Sequence, residues 1–186
     1  MSCKKIFCAI ATMVMLAGCA TRMKVAEVDP TTGLLKSEVG TVSTATVVTS
    51  KQMSLAPFKG MVFISGSQAS IDQMRKIGYF DEVMDLDDLQ KLIISNNLQD
   101  KVPSLNDKIG LNKLYRAYKP FLWVYFKRIT KENKPYMQLV ATNPDTLEDV
   151  FVSEVYLDFV WSGVNDQNSR YPLFNALISW INQNKA

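Results

Sequence analysis

The stretch FLWVYF, residues 121–126, places six apolar residues in a row and constrains the fold more than any other part of this chain. A short apolar run that follows a proline predicts a strand covered on both faces of a sheet. Turn-forming residues at 131–135 and 143–146 separate this run from two further strand-like stretches, 136–142 and 150–161. The last stretch alternates apolar and polar residues, as a strand with one half-wet face does. The three stretches therefore predict an antiparallel meander.

Apolar periodicity, glycine, proline and acidic helix caps predict the other elements. We expect Asn168 or Ser169 to cap the last helix, with Pro172 in its first turn. The predicted fold class is α/β, an α+β layered domain with a mixed sheet of about five to six strands, a three-strand antiparallel meander and about four helices. Before the meander we predict strands at 44–49, 58–65 and 79–85, and helices at 67–78, at 105–118 and from 85 onward.

The first residues have the pattern of a targeting segment. Met1–Lys5 is short and basic, and 6–16 is almost wholly apolar, which matches the two leading regions of a signal peptide. The apolar run of about eleven residues is too short for a transmembrane helix, which needs about 20. Leu16–Cys19, LAGC, resembles the lipobox of bacterial lipoproteins. The resemblance implies cleavage before Cys19, acylation of that residue and, because Ala20 follows it, sorting to the outer membrane.

An ordinary secretory signal is the alternative, although Leu16 is larger than the residue expected three positions before such a cleavage site. The lipoprotein interpretation divides the chain into a cleaved signal at 1–18, a lipid anchor and tether at 19–43, and one globular domain at 44–186. A fully extended tether of about twenty residues would span about 65–70 Å. The turn-forming sequence at 29–33 could instead close a weak hairpin within it.

The cysteine and histidine content limits the possible chemistry. After removal of the signal, one cysteine remains, at the new N-terminus, and the chain has no histidine. This excludes a disulfide within the domain, a Cys/His zinc site and a nucleophile that needs a histidine base; no cofactor is expected. The net charge is +3, and Lys4 and Lys5 of the signal supply two of these charges. The near-neutral remainder gives no electrostatic reason to expect nucleic acid or an anionic membrane as a partner.

Three stretches resemble a known family. KIGYFDEVMDLDDLQKLI, residues 76–93, contains a helix that ends at glycine, a short strand and an acidic helix start. KPFLWVYFKR at 119–128, YMQLVATNPDTLEDVF at 136–151 and the closing helix continue the same order. Over about residues 58–184 the chain resembles the TolB amino-terminal-domain-like superfamily, which includes penicillin-binding-protein activators and curli secretion lipoproteins. The resemblance implies this fold and a periplasmic location. The chain has no spare strand pair for a pore hairpin.

Four groups of residues are candidate sites, although helix caps, turns or core edges also explain each group. The acidic cluster at 81–88 could be an acid/base or cation site, but it lacks the glycine of a calcium loop. Residues 66–70 could cradle an anion or hold a nucleophile, but they lack the motifs for either. The other two groups are candidate partner surfaces: Asn165, Asp166 and Asn168 beside Tyr171, and Tyr115, Arg116 and Tyr118.

The anchor, the missing histidine bases and the resemblance favour a non-enzymatic accessory or interaction component of an envelope assembly. We expect it at the periplasmic face of the outer membrane, held by the acyl chains of Cys19 and in contact with an envelope protein. The inner membrane and the cell surface are alternative locations. A second hypothesis is a module that binds a small molecule, lipid or glycan, which requires a concave site of about 300 Å³ or more. A third is a carboxylate-dependent hydrolase that uses Asp85 and Asp87.

Overall fold

A computed structural model of the chain describes residues 24–36, 44–105, 107–157 and 166–185, with backbone only for residues 166 and 167. The described residues form six strands, four α-helices and one 3₁₀ turn, Ala56–Phe58. The strands are β1 Thr46–Ser50, β2 Val62–Ser65, β3 Val83–Met84, β4 Leu122–Lys131, β5 Lys134–Asn143 and β6 Glu148–Tyr156. The helices are α1 Gln68–Ile77, α2 Leu86–Ser95, α3 Lys108–Ala117 and α4 Asp166–Asn184.

The six strands form one mixed sheet in the order β1-β6-β5-β4-β2-β3. β4, β5, β6 and β1 pair antiparallel, while β2 runs parallel to both β4 and β3. An antiparallel half and a parallel half therefore meet at β4. This confirms the predicted α+β class, the mixed sheet, the three-strand meander and the four helices.

β4 and β5 form a hairpin that extends beyond its neighbour β2. The two strands pair without interruption to Lys131 opposite Lys134. Between them lies a two-residue turn, Glu132–Asn133, with φ values of 49° and 61°, as a type I′ turn requires. β2 ends in register with Tyr125, so β4 continues for six more residues, about 20 Å. We call residues 127–136 the arm.

Each face of the sheet has its own hydrophobic core. Val62 and Ile64 of β2 face the first core, with α1 and α4, whereas Phe63 between them faces the second core, with α2 and α3. In the first core the rings of Phe151 and Trp180 stack with centroids 5.2 Å apart. α1 and α4 thus lie on the opposite side of the sheet from α2 and α3.

Residues 24–36 form a small N-terminal hairpin that packs on the first core. A bridge between Val28 and Leu35 closes it. The buried side chain of Gln73 in α1 accepts a hydrogen bond from the backbone nitrogen of Ala26 at 2.7 Å and donates one to the carbonyl oxygen of the same residue at 3.2 Å. The buried amide therefore satisfies both backbone groups of Ala26, as a neighbouring strand would.

α4 holds the N-terminal hairpin at two further points. The side chain of Asn175 accepts a hydrogen bond from the nitrogen of Leu35 at 2.7 Å and donates one to its carbonyl oxygen at 3.4 Å. The hydroxyl of Tyr171 donates to the carbonyl oxygen of Lys24 at 2.7 Å. The hairpin is therefore fastened to α1 and α4 together.

The N-terminal hairpin lies inside the segment predicted to be a tether, 19–43, and confirms the alternative prediction that the turn at 29–33 closes a hairpin. The rest of that segment, 19–23 and 37–43, lies outside the described residues, as does the signal. The boundary at residue 44 and the cleavage before Cys19 stay predictions.

β2 begins later than predicted. The apolar pattern predicted a strand from residue 58, but the strand starts at Val62. Pro57 stands at the start of the 3₁₀ turn Ala56–Phe58, and its fixed φ favours a turn there. Phe58 is buried at the end of this turn, which explains why its apolar character resembled the start of a strand.

α4 begins earlier than predicted. The helix starts at Asp166, so Asn168 and Ser169 lie within it and are not its cap, and Pro172 is inside the helix. Proline has no backbone N–H to donate, which weakens a helix interior. Both sequence neighbours of Pro172 are buried in the first core, and this packing stabilises the helix across the proline. Among the described residues, no helix combines the length and apolarity needed to cross a membrane.

Candidate functional site

The parallel half of the sheet forms a crevice at the carboxyl ends of β2 and β3. α1 follows β2 onto the side of the first core, and α2 follows β3 onto the side of the second. Chains that leave neighbouring parallel strands in opposite directions leave a gap between them, where open α/β sheets commonly bind ligands. A cleft of about 610 Å³ lies there. We call it the strand-end cleft.

The cleft has an apolar floor and an acidic rim. Phe63, Ile71 and Leu111 on its lining are at most 4% exposed, whereas Asp87 and Asp107 are exposed. The other lining residues come from the end of β2, the starts of α1 and α2, the segment before α3, and β4: Ile64, Ser65, Gly66, Gln68, Asp85, Leu86, Leu105 and Trp123.

Trp123 is held in place at one side of the cleft. Its indole nitrogen donates a hydrogen bond to the hydroxyl oxygen of Ser65 at 3.1 Å. Its ring stacks on Tyr125 with centroids 4.3 Å apart and planes 28° from parallel. Burial raises the pKa of the Tyr125 hydroxyl, and the nearby Asp149 carboxylate adds to the rise. The indole therefore presents a fixed aromatic wall.

Two carboxylates of the rim also hold the starts of helices. Asp85 accepts a hydrogen bond from the backbone nitrogen of Asp88 at 2.8 Å, and the Asp88 side chain accepts one from the nitrogen of Asp85, which forms a capping box. Asp107 accepts a hydrogen bond from the nitrogen of Gly110 at 2.7 Å at the start of α3. Each carboxylate has a second oxygen, so capping leaves acceptor capacity.

The cleft is negatively charged despite the helix starts around it. Its lining contains three aspartates, Asp85, Asp87 and Asp107, and no lysine or arginine. The N-termini of α1, α2 and α3 all reach the cleft, and each contributes about +0.5 of an elementary charge. Together they offset about half of the three negative charges, so a cationic ligand is favoured.

The spacing of these carboxylates suits an extended cation better than one metal ion. Among the described residues, no three potential ligands of the His, Cys, Asp or Glu types lie close enough to hold a metal. Leu86, between two of the carboxylates in sequence, is 42% exposed. Apolar surface beside separated carboxylates matches a lysine or arginine side chain, which has an apolar stem and a charged head.

The structure brings together two segments that the sequence presented as separate candidates. Gly66 in the first and Asp85 and Asp87 in the second line the same cleft. The rest of the acidic cluster is not part of the lining: Asp88 completes the capping box of α2, and Glu82 pairs with Lys119 at 2.8 Å. No signal in the sequence indicated the contributions of Trp123 and Asp107, because these depend on the order of strands in the sheet.

Tyr115, predicted on a partner surface, lies at the edge of the core. Its ring centroid is 6.5 Å from that of Phe58 and 5.9 Å from that of Phe121. Burial raises the pKa of its hydroxyl, and the carboxylate of Asp145 adds to the rise. Ring packing is thus the main role of this side chain.

Arg116 and Tyr118 are the exposed members of the same group. The Nε of Arg116 lies 3.1 Å from a carboxylate oxygen of Asp145. Tyr118 is 37% exposed, and the Nζ of Lys119 lies 5.3 Å from its ring centroid. A small charged and aromatic surface therefore exists at the end of α3, and its use by a partner stays a prediction.

The other predicted surface is only partly described. Asn165 and Cys19 lie outside the described residues, and Asp166 is the first residue of α4. Asn168 is half-buried, while Tyr171 is 4% exposed and belongs to the first core. α4 and α3 pack on opposite faces of the sheet, so the structure does not join the two predicted surfaces.

A buried carboxylate lies on the second face of the meander. Glu154 is 8% exposed, at a position where alternation predicted a half-wet side chain. Both of its oxygens accept hydrogen bonds from Lys131, at 2.6 and 2.7 Å, and one accepts a hydrogen bond from Gln138 at 2.8 Å. Burial raises the pKa of Glu154, but the bonds from Lys131 and Gln138 and the lysine charge outweigh it and hold the pKa below 4.5.

The Lys131–Glu154 pair should make stability depend on acidity. Because the pKa of Glu154 is lower in the folded chain, its contribution is complete above pH 4.5 and is lost as the pH falls through the folded pKa. We expect Lys131→Met to lower the free energy of unfolding by about 1–2 kcal/mol near neutral pH. The loss should be smaller at a pH well below 4.5, because protonation of Glu154 in the folded chain removes its attraction for Lys131. Urea unfolding at both pH values measures it.

Lys134→Met is the matched control, because Lys134 is an exposed lysine opposite Lys131 in the same hairpin. It should change stability by less than about 0.5 kcal/mol at either pH. An equal loss for Lys131→Met at both pH values would contradict the assigned role of the pair.

Comparisons with known proteins identify no family. No family model matches the chain, and no curated protein sequence matches it. The LpoB C-terminal domain from Salmonella enterica is 15% identical with a TM-score of 0.36, over 54% of this chain and 84% of that one. The same domain from Escherichia coli is 13% identical with a TM-score of 0.33, over 55% and 84%. A PelC dodecamer from Paraburkholderia phytofirmans is 11% identical with a TM-score of 0.34, over 76% and 99%.

Proposed function

We propose that the chain is a non-enzymatic, lipid-anchored accessory protein of the cell envelope whose strand-end cleft binds a basic segment of a protein partner. The observation that carries this proposal is the combination of three rim carboxylates, Asp85, Asp87 and Asp107, with an apolar floor that ends at Trp123. Lysine and arginine have the matching cationic head and apolar stem. Arginine can also stack on an indole ring.

The same residues favour binding over hydrolysis. The chain contains no histidine, and a carboxylate-dependent hydrolase would have to use Asp85 and Asp87. Asp85 is engaged in the capping box of α2, and releasing it would cost about 1 kcal/mol of helix stability. Capping the helices and attracting a cation require no change in the hydrogen bonds of these carboxylates.

The proposed location rests on the sequence. LAGC at Leu16–Cys19 supports acylation of Cys19, and several acyl chains hold a domain stably at a bilayer. Ala20 supports the periplasmic face of the outer membrane, with the inner membrane and the cell surface as alternatives.

A small cationic molecule is the second candidate ligand. The cleft volume of about 610 Å³ falls within the range of about 300–1,000 Å³ typical of small-molecule sites. The cleft thus meets the volume requirement of the hypothesis of a small-molecule binding module.

Photo-cross-linking in cells tests the choice between a protein and a small ligand. A photoreactive residue replaces Leu86, which is 42% exposed at the cleft, or Leu147, which is 38% exposed in the turn between β5 and β6. We expect Leu86 to yield a protein adduct that Leu147 does not, with the linked peptide rich in lysine or arginine. Mass spectrometry of the adduct identifies the peptide.

A charge variant makes the test specific to the cleft. Asp87→Lys should reduce the Leu86 adduct about tenfold, which corresponds to about 1.4 kcal/mol of binding energy. Asp100→Lys makes the same change of charge at an exposed residue outside the cleft lining and should leave the adduct unchanged. No adduct at Leu86, or adducts indifferent to Asp87→Lys, would refute binding of a basic segment.

A further inference from the structure

The N-terminal hairpin limits how far the domain can stand from an acylated Cys19. The carbonyl oxygen of Lys24 is hydrogen-bonded to the buried Tyr171, so only the segment 19–24, which we call the leash, separates the domain from an acylated Cys19. Five residues span at most about 18 Å. The reach is therefore about a quarter of the 65–70 Å available to a tether that is free throughout 19–43.

The leash leaves the domain at the same end of the sheet as the arm. Ala26 and then Glu27 pair with Gln73 and then Lys76, so the hairpin runs along α1 toward its C-terminal end. Going back from Ala26 toward Lys24 leads to the N-terminal end of α1, which follows the carboxyl end of β2. The arm projects beyond the end of β2 in the same direction, and β6 accompanies it as far as Tyr156, opposite Tyr136.

The leash and the arm are also similar in length. Arg170 precedes Tyr171, and its guanidinium carbon lies 5.9 Å from the ring centroid of Phe126, so the leash begins at about the level of Phe126. β4 continues five residues from there to Lys131, about 17 Å. A leash of about 18 Å can thus reach a surface on which the tip of the arm rests.

The arm carries a local positive charge that the near-neutral chain as a whole conceals. Residues 127–134 contain four basic side chains and one acidic one, and all five are exposed. Because Lys131 is paired with Glu154, a net charge of about +2 remains. Two tyrosines lie halfway along it, Tyr136 and the 48% exposed Tyr156 of β6, with ring centroids 5.6 Å apart. Basic residues beside a membrane attract anionic lipid headgroups, and tyrosine rings favour the interface between lipid and water.

We propose that the arm rests on the phosphate-bearing headgroups of the bilayer that anchors Cys19, with Arg128 and Lys134 as the contacts. The inference rests on the proposed acylation of Cys19. β2 ends about 20 Å below the arm tip, so the arm holds the strand-end cleft away from the lipid and open to a partner.

Fluorescence quenching on vesicles tests this orientation. The full-length chain, processed and acylated in a bacterial host, is reconstituted in vesicles of phosphatidylethanolamine and phosphatidylglycerol with a quencher on the headgroups. A fluorophore is attached through Asn133→Cys at the arm tip or through Leu147→Cys, which lies past the opposite end of β5. We expect several-fold stronger quenching at Asn133, and a smaller difference in vesicles of phosphatidylcholine alone. Equal quenching at the two sites would overturn the proposal.

Two matched charge variants complete the experiment. The combination Arg128→Glu and Lys134→Glu should reduce the quenching at Asn133 several-fold. The control combination Lys91→Glu and Lys101→Glu makes the same change of charge at exposed positions outside the arm and should leave the quenching unchanged; equal effects would refute the role of the arm.

The mass of the purified chain reports acylation separately. An acylated chain without arm quenching overturns the orientation alone, whereas a chain without acyl groups overturns the proposed anchor and the orientation with it.

Discussion

Replacing Trp180 by alanine is expected to lower the free energy of unfolding by about 3–5 kcal/mol, the usual cost of deleting a large buried aromatic side chain. Trp180 is 2% exposed and stacks on the fully buried Phe151. Its indole nitrogen also donates to the carbonyl oxygen of Lys51 at 3.0 Å, next to the end of β1. Because small domains are stable by only about 5–15 kcal/mol, this loss would leave a marginal fold. Urea unfolding followed by circular dichroism measures it.

Trp180→Phe separates packing from the hydrogen bond. Phenylalanine keeps a ring beside Phe151 but cannot donate to Lys51, so we expect a loss of about 1–2 kcal/mol. If Trp180→Phe were as costly as Trp180→Ala, the hydrogen bond and not the stacking would dominate, and the ascribed role of α4 packing would be wrong.

Gly110→Ala should lower the free energy of unfolding by about 2–4 kcal/mol, because its methyl group would be forced against the backbone of Ser104. This is the second-largest loss of stability that we expect. A Cβ at Gly110 would collide with the carbonyl oxygen of Ser104 and would lie 2.9 Å from its carbonyl carbon. Alanine normally stabilises a helix by about 1 kcal/mol relative to glycine. A net loss of stability would therefore show that the steric clash outweighs the helix propensity. Thermal and urea unfolding measure the change.

Gly60→Ala is the matched control, since nothing lies within 4 Å of a Cβ at that position. Its stability should change by no more than about 0.5 kcal/mol. Gly110→Ala should also displace Leu105, which follows Ser104 and lines the strand-end cleft, and so weaken the Leu86 cross-link. A fully stable Gly110→Ala protein would contradict the close approach of the 104–105 segment to α3.

The order of helices and strands was predictable because it depends on neighbours in the sequence. Asp85 followed three residues later by Asp88 indicates a helix start, and the structure has the capping box there. Alternation and turn residues likewise indicated the meander. Each of these patterns involves residues only a few positions apart, so it can be recognised in a single sequence.

Features that depend on contacts between distant residues were not predictable. The hairpin at 24–36 was predicted only as the alternative to a tether, because nothing near it indicates that Gln73 would bind the backbone of Ala26. The full length of β4 was also missed, since the charged residues after Phe126 resemble a loop until paired with β5. Predicting the strand-end cleft would have required knowing that β2 lies between β3 and β4.

The last helix fastens the first described residues, which has a consequence for the order of folding. Tyr171 bonds to Lys24 across 147 residues of sequence, and Asn175 to Leu35 across 140. Contacts between such distant residues form late, because the entropy of closing the intervening chain must first be overcome. A chain acylated at Cys19 would therefore fold at the end of a long flexible segment and be drawn toward the bilayer only when α4 docks. Docking of the C-terminal helix α4 would thus set the distance between the domain and the acylated N-terminus.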